Sequence, residues 1–142
     1  MILRWYANEE NIQESEGLMI TIDEMEAMMA EIVEALPEEL FDRLNGGVIL
    51  LPDEKENKNS KNNDLFILGE YHSGGVMGRY IAIYYGSFMR LYGNLKNKKL
   101  RKKLEHTIKH EFTHHLESLA GEKDLEIEDA IKMKKYLSKY KK

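Results

Sequence analysis

Two histidines and a glutamate in "HEFTH", residues 110–114, have the types and spacing of a metal site. Four residues make just over one helical turn, so in a helix His110 and His114 stand on one face, at a separation that a single ion can bridge. Glu111 then lies about 100° round the turn, where it can contact a water on the ion without being a ligand itself. The pattern predicts two ligands and one base.

The chemistry that this pattern predicts is that of zinc. His110 and His114 would bind as neutral imidazoles, a further protein ligand would complete the protein's share, and water would take the open position. The ion would make that water acidic enough to supply a nucleophile, while Glu111 takes its proton and delivers it to the leaving amine. We expect peptide-bond hydrolysis through a metal-activated water. Other divalent transition metals suit similar ligands.

The alternative for this stretch is a polar helix face that carries its histidines by chance. Against it, the apolar stripe of the surrounding segment is centred on the side opposite His110 and His114, so burying the stripe would leave their face toward a cleft or solvent. His115 lies nearer the stripe and is expected to be packed. His72, at the start of a glycine-rich loop, and the adjacent Tyr71 are candidates to hydrogen-bond a transition-state oxyanion.

Composition bounds the setting of these residues. The 142 residues suit one domain, 1–142, and 42% hydrophobic with 32% charged residues is ordinary for a soluble globular protein. A net charge of −4 gives no general reason to expect nucleic acid. Because there is no cysteine, thiolate ligands and a cysteine nucleophile are excluded. The sequence shows neither a secretion signal nor an apolar span, which predicts a cytoplasmic protein with no membrane partner.

Helical elements are predicted on both sides of the strands. Thr21 and Glu24 form a capping box ahead of an apolar run with helical spacing, and Pro37 starts a second short helix. The longest helical pattern is residues 95–121, which ends at Gly121. Its predicted buried stripe comprises Leu104, Ile108, Phe112, Leu116 and Leu119. A charged final helix is predicted beyond it.

Three strands are predicted in the middle of the chain, "VILLP", "LFILGEY" and "RYIAIYY". We expect residues 1–20 to be an N-terminal extension and the wholly polar residues 53–63 to be a mobile surface loop. The fold class is therefore α+β, with a small mixed or antiparallel sheet packed with the HExxH helix. The strand "RYIAIYY" is the expected edge for an extended peptide substrate.

With these residues in view, the chain resembles the minimal zincin-like metallopeptidases of bacteria. The resemblance runs from about Thr21 to Asp129 and rests on "ALPEELFDRLNGGVILL", "LGEY", "RYIAIYYGSFMRL" and the double-histidine "HEFTHHLE". It implies a compact α+β zincin core with a metal on the long helix. It implies little about the physiological substrate.

The resemblance also bears on the third ligand. Many members of that family carry it as aspartate in H-E-x-x-H-x-x-G-x-x-D, but here Glu117 and Ala120 stand at the glycine and aspartate positions. A shifted "GEKD" ending in Asp124 restores the spacing four residues later, so Asp124 is the predicted ligand, with a helix N-cap as its alternative role. Glu117 is the rival for that ligand, because it shares the histidine face. Three ligands along one straight helix rarely converge on one ion, so Glu117 is expected instead to support a ligand by hydrogen bonding.

Two functions follow from the sequence. The first is a zinc metallopeptidase that acts on peptides or unfolded proteins, alone or with a protein partner that completes the site. The second is a non-catalytic, metal-stabilised or regulatory domain that acts by binding protein. A catalytic role predicts that Glu111→Gln abolishes hydrolysis while zinc and fold remain, whereas a structural site would tolerate that change.

Overall fold

The helix that carries the histidines is the longest described element. The computed structural model describes residues 2–8, 19–56, 65–121 and 135–136. In it α3 spans Asn97–Gly121 and ends at the glycine that the sequence predicted. All five residues of the predicted stripe are buried, and Leu104, Ile108 and Phe112 are wholly so. Leu104, Ile108, Phe112 and Leu116 belong to the main core, to which strands of the sheet also contribute.

Five strands of the described residues form one mixed sheet in the order β1-β4-β5-β2, with β3 beside β4. β2 pairs parallel with β5, and the other pairs are antiparallel. The fold class is α+β, as predicted. The strands are β1 (Ile2–Asn8), β2 (Gly47–Leu51), β3 (Lys55–Glu56), β4 (Leu65–Gly75) and β5 (Gly78–Tyr84).

Two smaller helices and a helical turn cover the remaining core. α1 (Ile22–Glu34) has the predicted capping box, in which the Glu24 N–H donates to Thr21 Oγ1 and the Thr21 N–H to Glu24 Oε1. A 3-10 helix, Glu38–Phe41, follows Pro37, and α2 (Tyr85–Tyr92) follows β5 directly. No described helix is both long and apolar enough to cross a membrane. The predicted final helix lies almost wholly outside the described residues.

The structure places a strand within each of two segments, 1–20 and 53–63, in which the sequence predicted none. Within 1–20, Ile2–Asn8 is strand β1, which pairs along β4. Within 53–63, Lys55–Glu56 is strand β3, and the Lys55 N–H donates to Ser87 Oγ at 2.9 Å. Residues 57–63 of that segment lie outside the described residues. Residues 53–56 are therefore fixed against β4 and α2.

The predicted substrate edge is wrong. β5, which contains most of "RYIAIYY", lies between β4 and β2 and pairs with both of them. Its backbone groups are therefore committed to the sheet and cannot receive another strand. On the described strand path β1 and β2 are terminal instead, and β1 is the strand that reaches the histidines of α3.

Candidate metal centre

His110 and His114 lie together on one face of α3, as their spacing predicted. Their ring centroids are 4.8 Å apart and the rings meet edge to face, at 85°. Both side chains are half-buried, so they are neither part of the apolar core nor fully in water. Two imidazoles in this arrangement can converge on one ion.

Glu117 lies against His114, one turn further along α3. Its Oε1 is 3.4 Å from His114 Nδ1. A carboxylate near Nδ1 favours the tautomer with the proton on that nitrogen, which leaves Nε2 as the donor to a metal. The supporting role that the sequence predicted for Glu117 stays a prediction, with which this distance is compatible.

Trp5 of β1 forms the wall beside the two upstream histidines. Its ring centroid is 4.0 Å from that of His110, with 38° between the planes, and 5.5 Å from that of His106. The sequence prediction missed this residue because it left 1–20 without structure. The signal was present in "ILRWY", where Leu3 and Trp5 alternate with Arg4 as in a half-buried strand.

Glu111 lies in the buried seam between α3 and the sheet. Its side chain is fully buried, and neither carboxylate oxygen has a hydrogen-bond partner in the described part of the chain. Burial, reinforced by the negative charge of Glu70, raises the pKa of Glu111 to about 8. Buried polar groups in native proteins are nearly always hydrogen-bonded, so a carboxyl held this way calls for a functional explanation.

Glu70 of β4 is a second buried carboxylate, and it is held as an anion. Burial alone would raise its pKa, but hydrogen bonds from Tyr84 and Lys55 outweigh that effect and lower the pKa to about 2. Lys55 Nζ is 2.9 Å from Oε1, and Arg4 Nε is 2.5 Å from Oε2. The sequence prediction also missed this cluster, because its members come from four separate strands.

The two oxyanion candidates are directed elsewhere. Tyr71 is fully buried and its hydroxyl lies 2.9 Å from Nδ1 of His115. His115 Nε2 lies 2.8 Å from the Asp42 carbonyl oxygen, to which it donates, so Nδ1 accepts from Tyr71. His115 is thus a packed histidine, as predicted. His72 pairs with Glu70 and stacks on Tyr80, on the other face of β4 from Tyr71.

The predicted third ligand, Asp124, lies outside the described residues. Within the ranges that the structure describes, no three His, Cys, Asp or Glu side chains are grouped closely enough to hold a metal. What those ranges bring together is the histidine pair, its carboxylate partner Glu117 and the buried Glu111. The two histidines are suitable as two of the protein ligands of a zinc site. The Glu111 carboxyl, which lacks a hydrogen-bond partner in the described part of the chain, is suitable as the general base beside them.

Comparison with solved structures gives a relative. A structure described as a conserved hypothetical protein (TTHA0227) from Thermus thermophilus matches with a TM-score of 0.63 and 32% sequence identity, over 72% of this chain and 99% of that chain. The chain belongs to the family of that protein. No family model matches the sequence, and no curated protein does. Membership of the TTHA0227 family supports the α+β fold, and its description states no activity.

Proposed function

We propose that the protein is a zinc-dependent metallopeptidase of zincin-like type, with His110 and His114 as ligands and Glu111 as the general base. Asp124 is the proposed third ligand. The substrates would be peptides or unfolded proteins, because the described chain offers no second domain to enclose a folded one. The single observation that supports this most is Glu111, a fully buried carboxyl without a partner beside two imidazoles on one helix face.

Each residue of the proposed site has a separate role. Zinc, when bound, would supply an acidic water and polarise the scissile carbonyl. Glu117 holds the His114 tautomer that presents Nε2, and Trp5 flanks His110. Glu111 accepts a proton from the attacking water and returns it to the departing amine. Burial raises the pKa of Glu111 to about 8 in the metal-free protein, and a divalent cation bound nearby would favour the ionised carboxylate that this role requires.

The test combines metal content with hydrolysis. Wild type, His110→Ala, Asp124→Ala and Glu111→Gln would be assayed for zinc under chelator competition and for cleavage of an unfolded protein and a peptide library. We expect near-stoichiometric zinc in wild type and Glu111→Gln, loss of zinc in the other two, and cleavage by wild type alone. Wild type without tightly bound zinc, or Glu111→Gln with full cleavage, would contradict the proposal.

The alternative is a metal-stabilised domain that binds protein without cleaving it. The contact of Glu117 with His114 is compatible with this function too, since structural sites also orient their ligands. The two functions differ in what Glu111 does. In a structural site Glu111→Gln keeps the partner bound and the protein functional, whereas in a peptidase the same change stops turnover and keeps the zinc.

A further inference from the structure

We propose that Trp5 is a positioning residue for the metal site, which fixes the ring of His110 and thereby strengthens zinc binding. This inference rests on the proposed function, since it concerns the same site. It assigns β1 a role in that site, although the sequence pattern predicted no role for residues 1–20.

The contact between Trp5 and His110 is close for two rings. Their centroids are 4.0 Å apart, whereas aromatic pairs typically lie about 4.5–7 Å apart. The same indole also reaches the ring of His106, one turn earlier on α3. Trp5 therefore contacts histidines on two successive turns of α3 and restricts the positions that the His110 ring can take.

A glycine on β4, Gly69, lets the sheet approach α3 closely enough to place Trp5 next to His110. Trp5 is the cross-strand partner of Gly69 on β4. A Cβ built at Gly69 would lie 3.2 Å from Thr107 Cγ2, so the strand approaches α3 closely one turn before His110. Because β1 hydrogen-bonds to β4 at this point, its indole is carried onto the histidine face. Leu3, two residues earlier, faces the same core.

A fixed imidazole binds metal more strongly because less rotamer freedom is lost when the ion binds. Residues that orient metal ligands typically change metal affinity by about 10- to 100-fold when removed. For Trp5→Leu we therefore expect a loss of zinc affinity of about tenfold. Trp5→Phe keeps an aromatic face toward His110 and should bind within about threefold of wild type.

The experiment measures zinc affinity by chelator competition in full-length wild type, Trp5→Leu, Trp5→Phe and Leu3→Ala. Leu3→Ala is the matched control, since it removes packing from the same face of β1 and leaves the indole in place. Unfolding of each metal-free variant by urea is recorded in parallel. We expect the loss of affinity to follow the aromatic ring and not the loss of stability.

A second measurement needs no variant. Trp5 is the only tryptophan in the sequence, so its fluorescence reports on the His110 ring directly. Zinc added to wild type should change the Trp5 emission with the same midpoint that competition gives. If zinc binds and the emission does not change, or if Trp5→Leu binds as tightly as wild type, the inference is wrong and the proposed function stands.

Two other results also decide the matter. Equal losses of affinity in Leu3→Ala and Trp5→Leu would overturn the inference, because strand packing and not the ring would then control binding. Wild type that binds no zinc would overturn the proposed function and this inference together.

Discussion

At the scale of single residues, Glu111 lies where burial makes an ionised carboxyl costly, and in the proposed function that carboxyl is the general base. Burial and the charge of Glu70 raise its pKa from 4.5 to about 8. Folding at neutral pH must therefore protonate it, which costs about 3 kcal/mol at pH 7. Residues that destabilise the fold in this way are concentrated at active sites.

We therefore expect Glu111→Gln to stabilise the metal-free protein at pH 7 by about 3 kcal/mol, since the amide resembles the neutral acid. Because the pKa of Glu111 is higher in the folded protein than in the unfolded one, Glu111 does not reduce the stability of wild type below about pH 4.5, and reduces it increasingly as pH rises toward about 8. The stability gained by Glu111→Gln should therefore vanish near about pH 4. Urea unfolding with chelator at several pH values measures this. Glu26→Gln, exposed on α1, is the control and should change stability by less than about 0.5 kcal/mol. A Glu111→Gln protein that is less stable at every pH would contradict the prediction.

Glu70 predicts the opposite pH dependence. Its folded pKa, about 2, lies below the ordinary value of 4.5. The stability that its ionised form contributes is present above about pH 4.5 and is lost as pH falls toward 2. We expect Glu70→Gln to destabilise the protein by about 3 kcal/mol at neutral pH, because Lys55 and Arg4 lose their carboxylate partner. As pH falls toward about 2, wild type should lose stability, and Glu70→Gln should lose less. Unfolding free energies at about pH 6 and pH 3 test this. Equal losses in both proteins would disprove it.

At the scale of elements, periodicity predicted what is local and missed what depends on strand order. The capping box of α1, the buried stripe of α3 and the end of α3 at Gly121 could all be predicted, because each depends on residues within a few helical turns of one another. β1 was missed because its alternation extends only over Leu3, Arg4 and Trp5, and β3 was missed because two charged residues give no periodic signal. The wrong edge assignment for β5 has the same origin, because pairing partners are distant in sequence.

A prediction at this scale concerns how α2 fixes the segment before β3. A Cβ at Gly86 would lie 2.6 Å from the Glu54 backbone nitrogen, and backbone cannot yield as a flexible side chain can. We expect Gly86→Ala to destabilise the protein by about 1–3 kcal/mol. Gly121→Ala is the control, since a Cβ there meets nothing within 4 Å. Urea unfolding of both variants decides it, and a Gly86→Ala protein as stable as the control would show that residues 53–54 are not held against α2.

At the scale of the whole molecule, the histidine face and the buried stripe are separate parts of α3. Leu104, Ile108 and Phe112 are completely buried, and the sheet closes over them. His110 and His114 are half-buried on another face. The core therefore does not depend on the metal for its packing, in contrast to small zinc modules that are unfolded without their ion. In the proposed function, the metal site would therefore be an addition to a fold whose core packs without it.

This separation predicts that chelation leaves the protein folded. We expect the metal-free protein to keep its circular dichroism and a cooperative unfolding transition, with zinc at 100 times its Kd adding about 2.7 kcal/mol of stability. His110→Ala should abolish the added stability and leave the metal-free stability nearly unchanged, because the core residues remain. Loss of cooperative unfolding on chelation would instead identify the ion as structural and favour the metal-stabilised binding domain. A folded metal-free protein together with zinc-dependent cleavage would favour the peptidase, because the ion would then serve chemistry and not folding.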